Sequence, residues 1–464
     1  MAYTTINKST EHFNTKLYSG NGSTNNITGV GFQPDWLWIK SRGATENHVL
    51  YDSVRGVTKQ LYSNTSGAES TNATALTAFA SDGFNLATSN TNTNANGANF
   101  VSWNWKAGGT APAITYTVKV VSDSGNKYRF DDFGTSAVTL DLQEGGTYTF
   151  DQSDSSNAGH PLRFSTTSNG THGGGSEYTT GVTTTGTPGS SGAKTVITVA
   201  SGAATLYYYC TQHSGMGGQA NTNSLFGSSN FAGSIQTTVS ANQTAGFSIV
   251  RYTGTGSNAT IGHGLGAVPH MYIARNITDS EQWTTYHVGM DTSAPEDHHM
   301  RLNTTDSRVD EASVWNDTAP TSSVFSVGSS GAPNGSGDNH IAYCFTNING
   351  YSKFGHFIGN GNTNGSFIYT GFRPAWVMIK RRDSADNWTI WDDARNTNGD
   401  YNWTLEADTT SGEWNDSNFR HEFLSNGFKL RNSFAQTNAD GGTYIYMAFG
   451  QTLVGSNDIP NNAR

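Results

Sequence analysis

Charge is scarce in this 464-residue chain: Asp, Glu, Lys and Arg supply 13% of it, about half the usual share of roughly 25%. With 26 basic residues against 36 acidic ones the formal charge is −10, so the field opposes a phosphate backbone and no nucleic-acid partner is expected. Cysteine is almost missing. The only two, Cys210 and Cys344, fall in different modules, which excludes a disulfide framework as the source of stability. No apolar run approaches the ~20 residues of a membrane span, and the start, MAYTTINKSTEHFNTKLYSG, lacks the apolar core of a signal peptide. A soluble chain without membrane insertion is the expectation. Helical periodicity is weak throughout.

What the chain does have is glycine, 54 residues of it, with much Asn, Ser and Thr, and aromatic rings at 12%. Disordered chains are poor in aromatics, so this composition describes short strands joined by polar turns, with rings supplying most of the burial.

Internal repetition is the strongest signal. Residues 18–42 (YSGNGSTNNITGVGFQPDWLWIKSR), 252–276 (YTGTGSNATIGHGLGAVPHMYIARN) and 357–382 (FIGNGNTNGSFIYTGFRPAWVMIKRR) each run from an aromatic through a Gly-rich turn to a proline-led strand. Pro34, Pro269 and Pro374 are equivalent, and the strand behind each reads as half-buried. An acid follows in each copy, Asp52, Asp291 and Asp392, and each copy closes on an aromatic strand: FVSWNW (100–105), HIAYCF (340–345) and YIYMAF (444–449). The second and third prolines are 105 residues apart but the first and second 235, which leaves room for a foreign module. The expected organisation is repeat 1 at 1–108, an inserted domain at 112–223, a Ser/Gly/Thr-rich linker at 224–245, repeat 2 at 246–349 and repeat 3 at 350–464. The predicted class is all-β, with β-sandwich modules in tandem.

The insert ends on ATLYYYCTQHSGMGG, which crowds Cys210, His213 and Met216 around its last strand, with His160 fifty residues upstream. Thiolate and imidazole donors suit copper, and a thioether supplies a weak axial contact. On this order of residues the segment resembles the cupredoxins, the small blue-copper electron carriers. That resemblance implies a Greek-key sandwich with His160, Cys210 and His213 as equatorial ligands and Met216 as the axial one. Gly159 stands where the family has Asn before the first histidine, and only two residues separate His213 from Met216. The bland alternative is a sandwich used as a spacer, with Cys210 as a small buried residue.

From MAYTTINKSTEHFNTKLYSGNG through GFQPDWLWIK and GFRPAWVMIK, the repeats resemble a domain of structural proteins of tailed phages that infect marine bacteria. The resemblance implies a non-enzymatic virion component assembled in the host cytoplasm, a tail fibre or tail appendage with host-receptor or glycan contact. A capsid decoration protein and a copper-binding redox module on a virion scaffold are the alternatives. Other virion proteins and copies of the chain itself, a trimer for a fibre, are the expected partners.

Several side chains invite sharper readings. Asp52, Asp291 and Asp392 could be glycosidase acids, but recurrence once per repeat favours a turn role. His287, Asp291, His298 and His299 match no metal template. TNADGG (437–442) reads as a turn and not as a calcium loop. Trp403 and Trp414, in polar company, are candidates for a glycan-stacking face, against the alternative that they fill a core or an interface.

Overall fold

The computed structural model describes residues 4–109, 111–223, 225–396 and 402–451; the outermost ends of repeats 1 and 3 as read from sequence lie outside them. The chain is all-β, with only short helical turns among the described residues. None of these is long and apolar enough to cross a membrane. Two compact units emerge. One comprises Met1–Ala107, Ala241–Ala259 and Leu265–Arg464, and the other Gly108–Ser240 and Thr260–Gly264.

The first unit holds the three repeats. In repeat 1 one sheet runs in the order Phe13–Ser19, Asn99–Trp105, Trp36–Ser41, Val49–Asp52, Lys59–Tyr62, Ser70–Thr71. Repeats 2 and 3 reproduce this order, with Met271–Asn276 and Arg373–Arg381 in the place of Trp36–Ser41. The proline-led strand is therefore central, between the closing strand and the strand that follows it in sequence. A central strand covered on both sides has no solvent face. Accordingly Trp36–Ser41 is buried at every position, and the predicted half-buried strand is corrected. Its two-residue alternation instead selects between two cores. Trp36 and Trp38 enter a cluster shared by all three repeats, while Leu37 and Ile39 enter a smaller one private to repeat 1. Trp376 and Met378 divide from Val377 and Ile379 in the same way in repeat 3.

The shared core makes the repeats one body, and three tiers of hydrogen bonds run around it, the first and third closing the cycle and the second linking two of the three boundaries. Equivalent cations Lys40, Arg275 and Lys380 donate to the carbonyls of Thr410 (3.1 Å), Ser66 (2.6 Å) and Thr305 (2.8 Å). Thus repeat 1 reaches repeat 3, repeat 2 reaches repeat 1 and repeat 3 reaches repeat 2. The indoles of Trp283 and Trp388 donate to the carbonyls of Tyr62 (2.8 Å) and Arg301 (2.9 Å), whereas His48, at the equivalent position of repeat 1, accepts from the Trp38 indole at 2.9 Å within its own repeat. In the third tier the closing strands meet the strands that end in Asp52, His287 and Asp392: Tyr343 with Asp52, Trp103 with Asp392, and the Tyr446 carbonyl with His287.

The second unit is a two-sheet sandwich. Asn126–Phe130, Ala113–Ser122, Thr147–Asp151, Lys194–Thr198 and Val182–Thr185 form one sheet, and Leu140–Gln143, Gly218–Asn223, Leu206–Cys210 and Leu162–Ser165 the other. Each contains one parallel pair. The Ser/Gly/Thr-rich stretch read as a linker is built into the fold. Ser228–Asn230 pairs with Thr237–Asn242, and Phe231 is buried in the sandwich core, stacked on Phe130 at 5.8 Å. Composition suggested a spacer because it hides a few well-placed apolar residues among many polar ones.

Candidate metal centre

Leu206–Cys210 pairs with Leu162–Ser165 in a register that sets Cys210 opposite Leu162, two residues after His160. It also pairs with Gly218–Asn223, so the intervening loop must return over the same sheet end, bringing His213 back. The outcome is convergence. Cys210 Sγ lies 3.9 Å from His160 Nδ1 and 3.8 Å from His213 Nδ1, and the three ligand atoms all fall within 4.8 Å of one another. Metal–ligand bonds of about 2.0–2.3 Å in a trigonal arrangement put neighbouring donors roughly 3.5–3.9 Å apart, so the cluster fits one ion. The donor set, one thiol and two imidazoles, is the set that favours copper or zinc.

Burial grades across the cluster: Cys210 is buried, His160 half-buried and His213 exposed. Partial burial, with the neighbouring His213 adding a smaller push, holds the His160 imidazole below its ordinary pKa and so in the neutral form that binds a metal. Met216 is buried in the same apolar cluster as Cys210.

The surrounding polar groups hold the loops. His160 donates its amide to the Asn157 carbonyl at 2.8 Å, and its own carbonyl accepts from Gln152 Nε2 at 2.8 Å and the Tyr128 hydroxyl at 2.9 Å. His172 Nε2 meets the Cys210 carbonyl at 3.0 Å. Asn169 grips the ligand loop twice, accepting from the Gly215 amide and donating to Ser214 Oγ, both at 2.8 Å. The supports from Tyr128, His172 and Asn169 were not legible in the sequence, because each lies more than thirty residues from what it holds.

The repeat acids are structural. Asp52 and Asp392 are fully buried, and each accepts the amide of the arginine three residues on and pairs with its guanidinium at 2.5 Å. Asp291 is not their equivalent, contrary to the sequence alignment. The residues opposite Trp36, Met271 and Trp376 are Asp52, His287 and Asp392, so histidine replaces the acid in repeat 2. Asp291 instead pairs with Arg308 at 2.6 Å; a hydrogen bond from the Ser293 amide, then this arginine, holds its carboxyl well below the usual range. His287, His298 and His299 are not gathered with it: among the described residues the His160 group is the one cluster with metal-binding geometry.

Trp403 and Trp414 do not make one platform. Register places Trp414 opposite Thr404 and Trp403 opposite Asn415, so the two indoles leave opposite faces of their hairpin. Trp414 packs edge-on against Phe419 at 5.7 Å, on the private core of repeat 3. The single glycan face read from the sequence is thereby corrected.

A recurring asparagine escaped the sequence reading. Asn94, Asn334 and Asn438 are fully buried, each beginning an Asn-x-x-Gly before a closing strand. Asn438 Nδ2 donates to Asn360 Oδ1 and to the carbonyls of Asn362 and Asn432, while its Oδ1 accepts from the Asn360 amide. This fastens the Gly-rich turn after the first strand. The TNADGG segment is the third copy. Glycine is required opposite it: a Cβ on Gly359 would meet the Ala439 carbonyl at 2.3 Å.

Residues 8–139 and 218–452 match the model of a domain family of unknown function, DUF7483. The unmatched interval, 140–217, contains His160, Cys210, His213 and Met216. No curated protein and no solved structure matches the chain.

Proposed function

The chain belongs to the DUF7483 family, and we propose that it serves as a non-enzymatic structural component of a phage particle, a tail fibre or other tail appendage that contacts the host surface. The observation that carries this reading is the cyclic closure of the repeats. Their buried cations, indoles and carboxylates are spent on joining one repeat to the next, as suits a part whose work is rigidity and contact. Capsid decoration uses the same properties, and position in the particle separates the two. Imaging purified particles that carry a tagged chain tests this: density on the tail supports the appendage, density on the shell supports decoration, and absence from particles overturns both.

A second reading is favoured by the convergence of His160, Cys210 and His213: the insert is a copper-binding module. Copper held by a thiolate and two imidazoles would supply one-electron redox chemistry. The four candidate ligands fall outside the family match, so this property belongs to the insert and not to the repeats. Copper added to the purified chain should give an intense visible charge-transfer band that Cys210→Ser abolishes. A colourless wild-type protein removes this reading.

A further inference from the structure

We propose that Tyr128 is the positioning residue of the His160–Cys210–His213 site, fastening two of the four candidate ligands, His160 and Met216, with one side chain and one amide. The inference rests on the copper-binding reading. Tyr128 belongs to the opposite sheet of the sandwich from Cys210, so its side chain crosses the core to reach the site. Its amide donates to the Met216 carbonyl at 3.0 Å. Its hydroxyl donates to the His160 carbonyl at 2.9 Å. Lys127, its neighbour, reaches the Gly215 carbonyl, so this strand backs both ends of the ligand set.

The single phenolic proton is donated to the backbone of one candidate ligand and the amide proton to that of another. Outer partners of this kind orient the groups that hold a metal, and their loss weakens metal binding about 10- to 100-fold. Tyr128 is buried, which keeps water from replacing its hydroxyl. With the oxygen removed, the His160 carbonyl loses a donor and the anchored His160 loop loosens.

The test loads the full-length chain with copper(II) alone and compares wild type, Tyr128→Phe and Tyr208→Phe. Tyr208 is a control from the same core, whose hydroxyl donates to the Val138 carbonyl at 2.7 Å. Tyr128→Phe should displace the charge-transfer band and weaken copper about 10-fold in chelator competition. Tyr208→Phe should match wild type in both. Replacing Tyr128 by 3-fluorotyrosine, a stronger donor of nearly unchanged shape, should tighten copper relative to wild type, and it covers the case in which the phenylalanine variant fails to fold. An unmoved band in Tyr128→Phe overturns the proposal, even if affinity drops, because loosened packing alone would give that result. If wild type shows no band, the copper reading falls and this inference with it.

Discussion

Tyr343 of the second repeat donates its hydroxyl to Asp52 Oδ2 of the first at 2.8 Å, inside the shared core. Trp103 of the first repeat makes the equivalent bond to Asp392 of the third at 3.1 Å. In the remaining link the closing strand offers Met447, which has no donor, at the matching position. The polarity reverses there: His287 Nε2 sits 3.0 Å from the Tyr446 carbonyl, and the histidine takes over as donor. A change on one side of a repeat boundary is thus matched on the other.

Because each buried acid is both an ion-pair partner and a link between repeats, its loss should be felt throughout the unit. Asp392→Ala leaves Arg395 without its closest partner, and breaking a buried pair from one side costs about 3–5 kcal/mol. Tyr343→Phe removes one hydrogen bond and should cost about 1 kcal/mol. Denaturant unfolding measures both. Hydrogen exchange distinguishes the shared body from independent domains: Asp392→Ala should speed exchange in all three closing strands, and an effect confined to repeat 3 would contradict the shared core.

Acid should weaken the repeats. Burial holds His287 and His421 down to about 3 and His299 to about 4, against 6.5 when unfolded. Below 6.5 the unfolded chain takes up protons that the native one refuses, so stability is lost as pH falls from 6.5 toward 3 to 4. Asp408 acts in the opposite sense. Burial raises it to about 7, so its native carboxyl binds a proton that the unfolded one lacks between 3.8 and 7, which adds stability as pH falls through 7. Three histidines outweigh one acid. Denaturation midpoints should therefore decline from pH 6.5 to pH 4; a flat profile would show that the histidines are not buried neutral.

The strands, the threefold repetition and the candidate donors His160, Cys210 and His213 were legible because each leaves a local mark: alternation, a proline with a closing aromatic run, and a cysteine with a histidine three residues on. What the sequence hid was which face meets what. Trp36 and Leu37 look alike as apolar residues, yet one enters the common core and the other a private one. Asp291 looked equivalent to Asp52 because it is also an acid near a turn, and only strand register shows that His287 holds that place. Trp403 and Trp414 looked like partners for want of the same information.

The two tryptophans should accordingly respond differently. Trp414→Ala strips a ring packed on Phe419 and should cost about 1–3 kcal/mol, whereas Trp403→Ala, on the opposite face, should cost under about 1 kcal/mol. Comparable losses in thermal unfolding would argue that both rings are core residues.

Asn438 tests the recurring turn fastener. Its amide makes bonds to three acceptors and accepts one amide from the turn, so Asn438→Ala leaves several buried groups unpaired and should cost about 2–3 kcal/mol. Asn438→Asp should fail almost as badly, since a carboxylate can accept from the Asn360 amide but cannot donate to the carbonyls of Asn362 and Asn432. If Asn438→Asp unfolds like wild type, the donated bonds are not what holds the turn.

Metal should stabilise the insert selectively. His160 precedes one strand of a sheet while Cys210 and His213 end and follow another, so an ion bound by all three ties two loops that only the native sandwich brings together. A ligand that binds the folded state alone adds about 2.7 kcal/mol at a hundred times its dissociation constant. Calorimetry of the whole chain with and without copper should move the transition of the insert upward and leave that of the three repeats in place, and a chelator should reverse the shift. Cys210→Ser should lose most of it, because the thiolate is the strongest donor of the set. His213→Ala should lose less, since an exposed loop residue gives up its place to water at low cost. A shift of both transitions, or one that survives Cys210→Ser, would mean that copper acts elsewhere on the chain.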